Sequence, residues 1–236
     1  MTANPYSKFD DRKTLNKTNL PSKKNERILQ FLEENPTGLI LDLGSGNSAI
    51  SHPHLIQLDC FRYANTNALG DALALPFKKG VFEAVFCHAV LEHVPSPFAA
   101  SEEIKRVLRS GGIVDISVPF LFPYHDVPDH YFNMSVSGVR TLFEDFRELE
   151  SGVLLGSAYA LRQIIGNYKK MLKRVYRDKE TPFWEKLRGR LVYRFFSWSI
   201  KFNLEKFKFT PEEDHVLAGA VYFRGRKVEG DRAGTT

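Results

Sequence analysis

The sequence predicts an α/β fold, a mostly parallel sheet with flanking helices and an inserted basic helical segment near its end. Three observations carry this expectation. Short apolar runs such as GLILDLG and GIVDISVPF do not alternate with polar residues, the pattern of strands covered on both faces. Segments of helical periodicity separate those runs. Between Ala160 and Thr210 stand fourteen basic and four acidic residues, a local +10 in a chain whose total is +5, so the remainder carries −5.

The elements follow in order. Residues 1–22 are polar and end at Pro21 and Ser22, as a loose arm would. KKNERILQFLEENP sets Ile28, Leu29 and Leu32 at helical spacing, and Asn35-Pro36 stops the helix. GLILDLG and HLIQLDC are the first two strands, and VFEAVFCHAV, from Val81, is another. Ser96 and Pro97 open a helix that Gly111 closes. GIVDISVPF is the next strand, and SVSGVRTLFEDF is a helix with a serine cap. LESGVLLGSA and HVLAGAVYFRGRK are late strands. The expected organisation is an arm over 1–22, an α/β core over 23–158, a basic aromatic helical insertion over 159–210, and a final strand and tail over 211–236.

Composition sets the broad class. Hydrophobic residues make up 43% and charged residues 26%, enough apolar material for a real core. Cys60 and Cys87 are the two cysteines, too few for a disulfide framework or a thiolate metal site, and they suit a reducing cytoplasm. The N-terminus has no apolar signal core. No run reaches the roughly 18 uncharged apolar residues of a membrane span.

The stretch GLILDLGSGNS places a carboxylate, Asp42, at the end of a buried strand and two glycines, Gly44 and Gly46, just beyond, with Ser45 between them. Glycine lets the backbone turn sharply and lets a ligand come close. A negative charge at that mouth disfavours a bare phosphate and favours a ligand bearing an ammonium or hydroxyls. Asp59 ends the second strand, and an ionised aspartate has two oxygens to accept bonds from both ribose hydroxyls. GSGNSA also fits the dinucleotide pattern G-x-G-x-x-G/A, which keeps a nicotinamide-dependent oxidoreductase open. Against it, Pro53 interrupts early, and Asp59 follows Gly46 too closely for the acid expected about 20 residues on. No convincing Tyr-x-x-x-Lys pair is present.

Four stretches combine: LDLGSGNS, the LD ending at Asp59, GDALALPF at residues 70–77, and FCHAVLEHV at residues 86–94. Together they resemble the class I S-adenosylmethionine-dependent methyltransferases, in particular a small group carrying LEHV after the fourth strand. The resemblance covers roughly residues 38–150 and implies a Rossmann-like sheet with S-adenosylmethionine as cofactor. It implies that Asp42, Gly44, Ser45 and Gly46 hold the methionine end. Asp59 then binds the ribose, Asp71 with Ala72 meets the adenine, and the backbone near His88 lines the methyl end. This chain has Ser48 where the family has a third glycine, and its first crossover is short. A non-catalytic S-adenosylmethionine-binding protein is the alternative.

PFLFPYHDVPDHYF, residues 119–132, gathers Tyr124, His125, Asp126, Asp129, His130 and Tyr131 into a proline-stiffened loop. A hydroxyl acceptor needs a base to take its proton. His125 or His130 is the expected base, oriented by Asp126 or Asp129. His93 and Glu92 are expected to order their own loop, and no metal is expected. In the insertion, Leu191, Tyr193, Phe195, Phe196, Trp198 and Ile200 are denser than one buried stripe needs. That suits either a lid over the site or a helix at the inner face of a membrane, serving a lipid-linked acceptor. Nucleic acid is disfavoured, because the rest of the chain is acidic and shows no nucleic-acid module. The acceptor class expected is a small molecule or glycan.

Overall fold

The computed structural model describes residues 21–125, 129–178, 180–202 and 209–228. The expected arm lies outside these residues except where Pro21 and Ser22 open the first helix, and Asp126 also lies outside them. The elements are α1 (Pro21–Glu34), β1 (Ile40–Leu43), β2 (Leu55–Asp59), β3 (Ala68–Leu69), β4 (Phe82–His88), α2 (Pro97–Val107) and β5 (Leu108–Pro119). They continue with α3 (Val136–Leu142), β6 (Phe146–Leu155), α4 (Ser157–Arg177), α5 (Phe183–Phe202), α6 (Pro211–Val216) and β7 (Ala220–Lys227).

The seven strands form one sheet in the order β3-β2-β1-β4-β5-β7-β6. Pairing is parallel between β1 and β2, β1 and β4, β2 and β3, and β4 and β5. β7 runs against β5: Lys227 at its end donates to the carbonyl of Leu108 at the start of β5. The mostly parallel α/β sheet expected from the sequence is therefore present. All four residues of β1 are buried. In-register neighbours share a face, so Ile40 and Ala84 lie together, and Asp42 shares its row with Phe86 and Asp115. The α1 residues Ile28, Phe31 and Leu32 pack on this face with Ile40, Leu55, Ala84, Phe86 and Ile113.

Several boundaries differ from expectation. No helix joins β1 to β2, so the shortened crossover is loop throughout. β3 is two residues long, too short to leave a periodic signal. The helix expected to run to Gly111 stops at Val107, and Arg109, Ser110, Gly111 and Gly112 belong to β5. Gly111 takes φ +73 inside that strand, so its glycine marks an irregular strand start rather than a helix end. The last strand begins at Ala220, not near His215, because Thr210 and Glu213 form a capping box that starts α6.

The chain divides into two compact units. One comprises Met1–Val118, His125–Ser151 and Tyr222–Thr236, and the other Pro119–Tyr124 and Gly152–Val221. In the second, α4 and α5 form an antiparallel hairpin. Tyr168 meets Phe196 edge to face, Tyr176 meets Tyr193, and Lys169 stands 4.9 Å over the Tyr193 ring. Asp214 of α6 caps α4 by accepting the amide of Ser157 at 2.9 Å.

Candidate active site

A cavity opens at the carboxyl ends of β1 to β4, where open α/β sheets bind their ligands. Leu43, Gly44 and Gly46 form one wall, Leu58 and Asp59 a second, and Gly70, Asp71 and Ala72 a third. Phe61 and Tyr63 add aromatic surface, and Ala89, Val90, His93 and Val94 close the side beyond β4.

The two glycines of the turn have different reasons to be glycine. Gly44 has φ +67, and a Cβ there would stand 2.2 Å from Val90 Cγ2, so the close approach of the loop after β4 excludes any side chain. Gly46 has φ +55 and open space where its Cβ would be. A larger residue at Gly46 would lose conformational ease and intrude on the cavity.

The amides of the turn are already used. Those of Gly44 and Ser45 both donate to the carbonyl of Leu58, at 2.8 and 3.1 Å, and that of Gly46 donates to Asp59 Oδ2 at 2.8 Å. The other Asp59 oxygen accepts the amide of Phe61 at 2.9 Å. Folding the turn against β2 consumes all three donors. A pyrophosphate would need those donors. What remains is carboxylate and carbonyl oxygen, which suits a ligand that donates: ribose hydroxyls and an ammonium. These residues therefore fit S-adenosylmethionine and do not fit a nicotinamide dinucleotide. Asp59, Asp71, Ala72, Gly44 and Gly46 are brought together around one cavity. Ser45, whose buried hydroxyl has no hydrogen-bond partner among the described residues, is not one of the residues lining the cavity.

Asp42 and His88 lie elsewhere. Asp42 is fully buried behind the turn, with Lys24 Nζ 2.5 Å from its Oδ1. Lys24 also donates to the carbonyl of Gly44 at 3.3 Å. Burial raises the Asp42 carboxyl above its ordinary value even with that lysine beside it. His88, on the same sheet face, meets Asp115 Oδ1 at 2.8 Å. Arg27, one helical turn after Lys24, meets Asp115 Oδ2 at 2.9 Å. Burial acts to raise the Asp115 carboxyl, but the His88 hydrogen bond and the His88 and Arg27 charges hold it below the usual range. Asp42 and His88 thus belong to a charge-paired layer beneath α1.

The GDALALPF loop is anchored from α2. Arg106 donates to the carbonyls of Leu75 and Phe77, and Glu103 accepts the amide of Leu75 at 2.7 Å. The loop thereby holds Asp71 at the cavity rim, where its Oδ1 caps the amide of Leu73 at 2.9 Å.

Beside the cavity stands a histidine cluster. His93 Nδ1 lies 2.5 Å from the carbonyl of Asp129, its ring is 4.8 Å from that of His125, and the His125 and His130 rings are 4.3 Å apart. The amide of His125 donates to His130 Nδ1 at 3.3 Å, and His130 Nε2 lies 2.8 Å from Asn133 Oδ1. Asp129 therefore bonds His93 through its backbone, while its side chain accepts from the Tyr131 hydroxyl at 3.4 Å. Glu92 is 1% exposed and its Oε2 has no hydrogen-bond partner among the described residues. Burial pushes its carboxyl up to about 8. Burial also lowers His93 from its ordinary value, with the Asp129 hydrogen bond acting against it.

The backbone expected to line the cavity near His88 does so through the next two residues, Ala89 and Val90, whereas sequence reasoning did not name Phe61 and Tyr63. Phe61 and Tyr63 carried a signal, being aromatic residues just past an acidic strand end. Ala89 adopts φ 55, rare without glycine, and is fixed by its amide donating to the carbonyl of Ser117 at 2.9 Å.

Residues 53–116 match the family described as Methyltransferase domain. No curated protein matches the sequence. Among solved structures, the fold is similar to that of a candidate sarcosine dimethylglycine methyltransferase from Galdieria sulphuraria, at 14% identity and TM-score 0.50, covering 87% of this chain and 86% of that one. It is also similar to a protein of Bacillus subtilis, YcgJ, at 16% identity and TM-score 0.51, covering 88% and 99%. A candidate methyltransferase from Bacillus halodurans matches at 16% identity and TM-score 0.50, covering 86% and 98%. The domain match lies on this sheet and on the cavity at its carboxyl edge, and makes residues 53–116 a methyltransferase domain.

Proposed function

We propose that this enzyme methylates a hydroxyl group of a small-molecule or glycan acceptor, with lipid-linked acceptors included. The observation that carries the reading is the position of His93, which lines the cofactor cavity while its ring packs against His125. That contact sets a group able to take a proton next to the end of the cavity lined by Ala89 and Val90.

In this reading Asp59 holds the ribose, Asp71 and Ala72 the adenine, and Gly44, Ser45 and Gly46 the methionine portion. The bound sulfonium supplies an activated methyl group. His125 takes the acceptor's proton, and its ring is placed by His130, whose Nδ1 is engaged by the His125 amide and whose Nε2 meets Asn133. The acceptor oxygen forms a bond to the methyl carbon as the carbon–sulfur bond breaks, and the electron pair stays on sulfur. Alignment of oxygen, carbon and sulfur supplies most of the acceleration.

The lipid-linked part of the reading rests on α5. Trp184, Leu187, Leu191, Phe195 and Trp198 recur at i, i+3, i+7, i+11 and i+14, and all are exposed. They form one stripe, opposite the Tyr193 and Phe196 side that meets α4. Arg188, Arg190 and Arg194 are exposed on the same helix. Apolar rings between cations suit the headgroup layer of an anionic membrane. Among the described residues no helix is long and apolar enough to cross a membrane.

The experiment is transfer of tritium from methyl-labelled S-adenosylmethionine into separated lipid, polysaccharide and small-metabolite fractions. Label in one of these, stable to mild base as an ether is, supports the proposal. Label that enters only protein or nucleic acid, or only amines, overturns it.

A further inference from the structure

We infer that Glu92, His93 and His125 form a binding site for a divalent transition-metal ion beside the cofactor cavity. One carboxylate oxygen and two imidazole nitrogens from these residues lie within 4.8 Å of one another. Glu92 Oε1 and His93 Nε2 are 3.9 Å apart, a few tenths of an ångström wider than the roughly 3.3–3.6 Å between two tetrahedral ligands about 2.0–2.2 Å from one ion.

The tautomer of His93 is fixed in the sense such a site requires. A carbonyl can only accept, so the proton sits on Nδ1, bonded to the Asp129 carbonyl. The lone pair is then on Nε2, which faces Glu92. Ligand histidines are oriented in this way by a carbonyl or carboxylate behind the ring. The second observation is Glu92 itself: its side chain is 1% exposed, yet its Oε2 has no hydrogen-bond partner among the described residues. A buried polar atom left unbonded is costly, and an ion supplies the missing partner. The backbone around the site is held as well, since the amide of Tyr131 donates to the Glu92 carbonyl at 2.7 Å. His130 is turned away from this role, because its two nitrogens meet the His125 amide and Asn133.

The donor set selects among metals. Two imidazoles with a carboxylate suit zinc, cobalt, nickel or iron better than calcium and magnesium, which take oxygen ligands. Three protein ligands leave positions for water or for an acceptor oxygen. Resting on the hydroxyl-methylation reading above, the ion would bind the acceptor's oxygen and acidify it. With the ion bound the acceptor's proton would pass to water and His125 would act as a ligand; in the metal-free chain His125 is the base of that reading. The bonds made and broken at carbon and sulfur are unchanged.

The test uses the full chain, stripped by a chelator and titrated with Co²⁺, whose visible absorption reports imidazole and carboxylate ligation, with S-adenosylhomocysteine binding measured in parallel. One Co²⁺ per chain is expected, displaced by Zn²⁺. Glu92→Gln and His125→Ala should each weaken Co²⁺ binding by more than the roughly 10- to 100-fold that loss of an orienting partner costs. Retained S-adenosylhomocysteine binding shows that a variant is folded, and either variant alone suffices if the other does not fold. Absence of stoichiometric Co²⁺ in the parent chain, or unchanged binding in a folded variant, overturns the site. If Co²⁺ binds as expected while no hydroxyl acceptor is methylated, the metal site stands and the hydroxyl reading fails.

Discussion

The carboxylate of Asp59 holds the amide of Gly46 at 2.8 Å, tying the end of the second strand to the turn after the first. Its other oxygen holds the Phe61 amide. Asn at this position keeps one acceptor oxygen and loses the charge. A hydrogen bond to a charged group contributes about 1.5–3 kcal/mol, so Asp59→Asn should weaken S-adenosylhomocysteine binding by roughly 10- to 100-fold. Isothermal titration measures this, and unchanged affinity would remove Asp59 from the ribose site.

Lys24 is the counter-ion of a carboxylate with no exposure at all. Removing one partner of a buried pair leaves the other uncompensated, so Lys24→Met should destabilise the chain by roughly 3 kcal/mol at neutral pH. The penalty should shrink as pH falls and Asp42 takes up a proton. Denaturant unfolding at several pH values reads both effects. A flat response would mean that Asp42 is already protonated at neutral pH.

Asp115 behaves oppositely. Its carboxyl is held below the ordinary value of 3.8, so its contribution is present above that value and is lost as pH falls through the lower folded one. Asp115→Asn should therefore be less stable than the parent at neutral pH, with the gap closing below about pH 4. Parallel stability curves for the two proteins at every pH would contradict this.

The histidine cluster separates chemistry from cofactor binding. His125→Ala should lower kcat by about 100-fold or more while S-adenosylhomocysteine binds as before. His130→Ala should have a smaller effect, since His130 acts by placing His125. Undiminished turnover in both variants would exclude this cluster from the reaction.

The exposed stripe of α5 predicts binding to phosphatidylglycerol vesicles over phosphatidylcholine vesicles, falling as salt rises. Leu191→Glu combined with Trp198→Glu should cut the bound fraction by at least about tenfold, because two buried side chains of this size contribute about 1.5–3 kcal/mol each. Sedimentation with vesicles measures it. Equal binding to both lipids would leave α5 without this role.

The sheet was legible because β1, β2, β4 and β5 are buried on both faces and read as unbroken apolar runs. Asp59 and Asp71 both reach the cavity wall, Asp59 because it ends β2, where such sheets open to ligands, and Asp71 because the GDA stretch resembles the family's. Asp42 looked like a site residue by the same logic, but its burial depends on Lys24, eighteen residues upstream, which no local pattern announces. The same holds for His88, whose partner Asp115 comes from the neighbouring strand. Ala89 reached the cavity through a backbone conformation that sequence does not encode by residue type. The pairing of Glu92 with His125 requires a loop 33 residues away to fold back over LEHV, a tertiary event invisible to spacing.

The loop that replaces a helix between β1 and β2 has one more consequence. Residues 44–54 have no ladder of their own, and several of their carbonyls are held by side chains from outside, with Asn65 on Ser48 and Gln57 on Ile50. Such a segment opens at a fraction of the cost of global unfolding. One flank of the cavity is thus held by single side chains reaching in from β2 and the loop after it, so Asn65 and Gln57, which touch no ligand, set the shape of the wall that does.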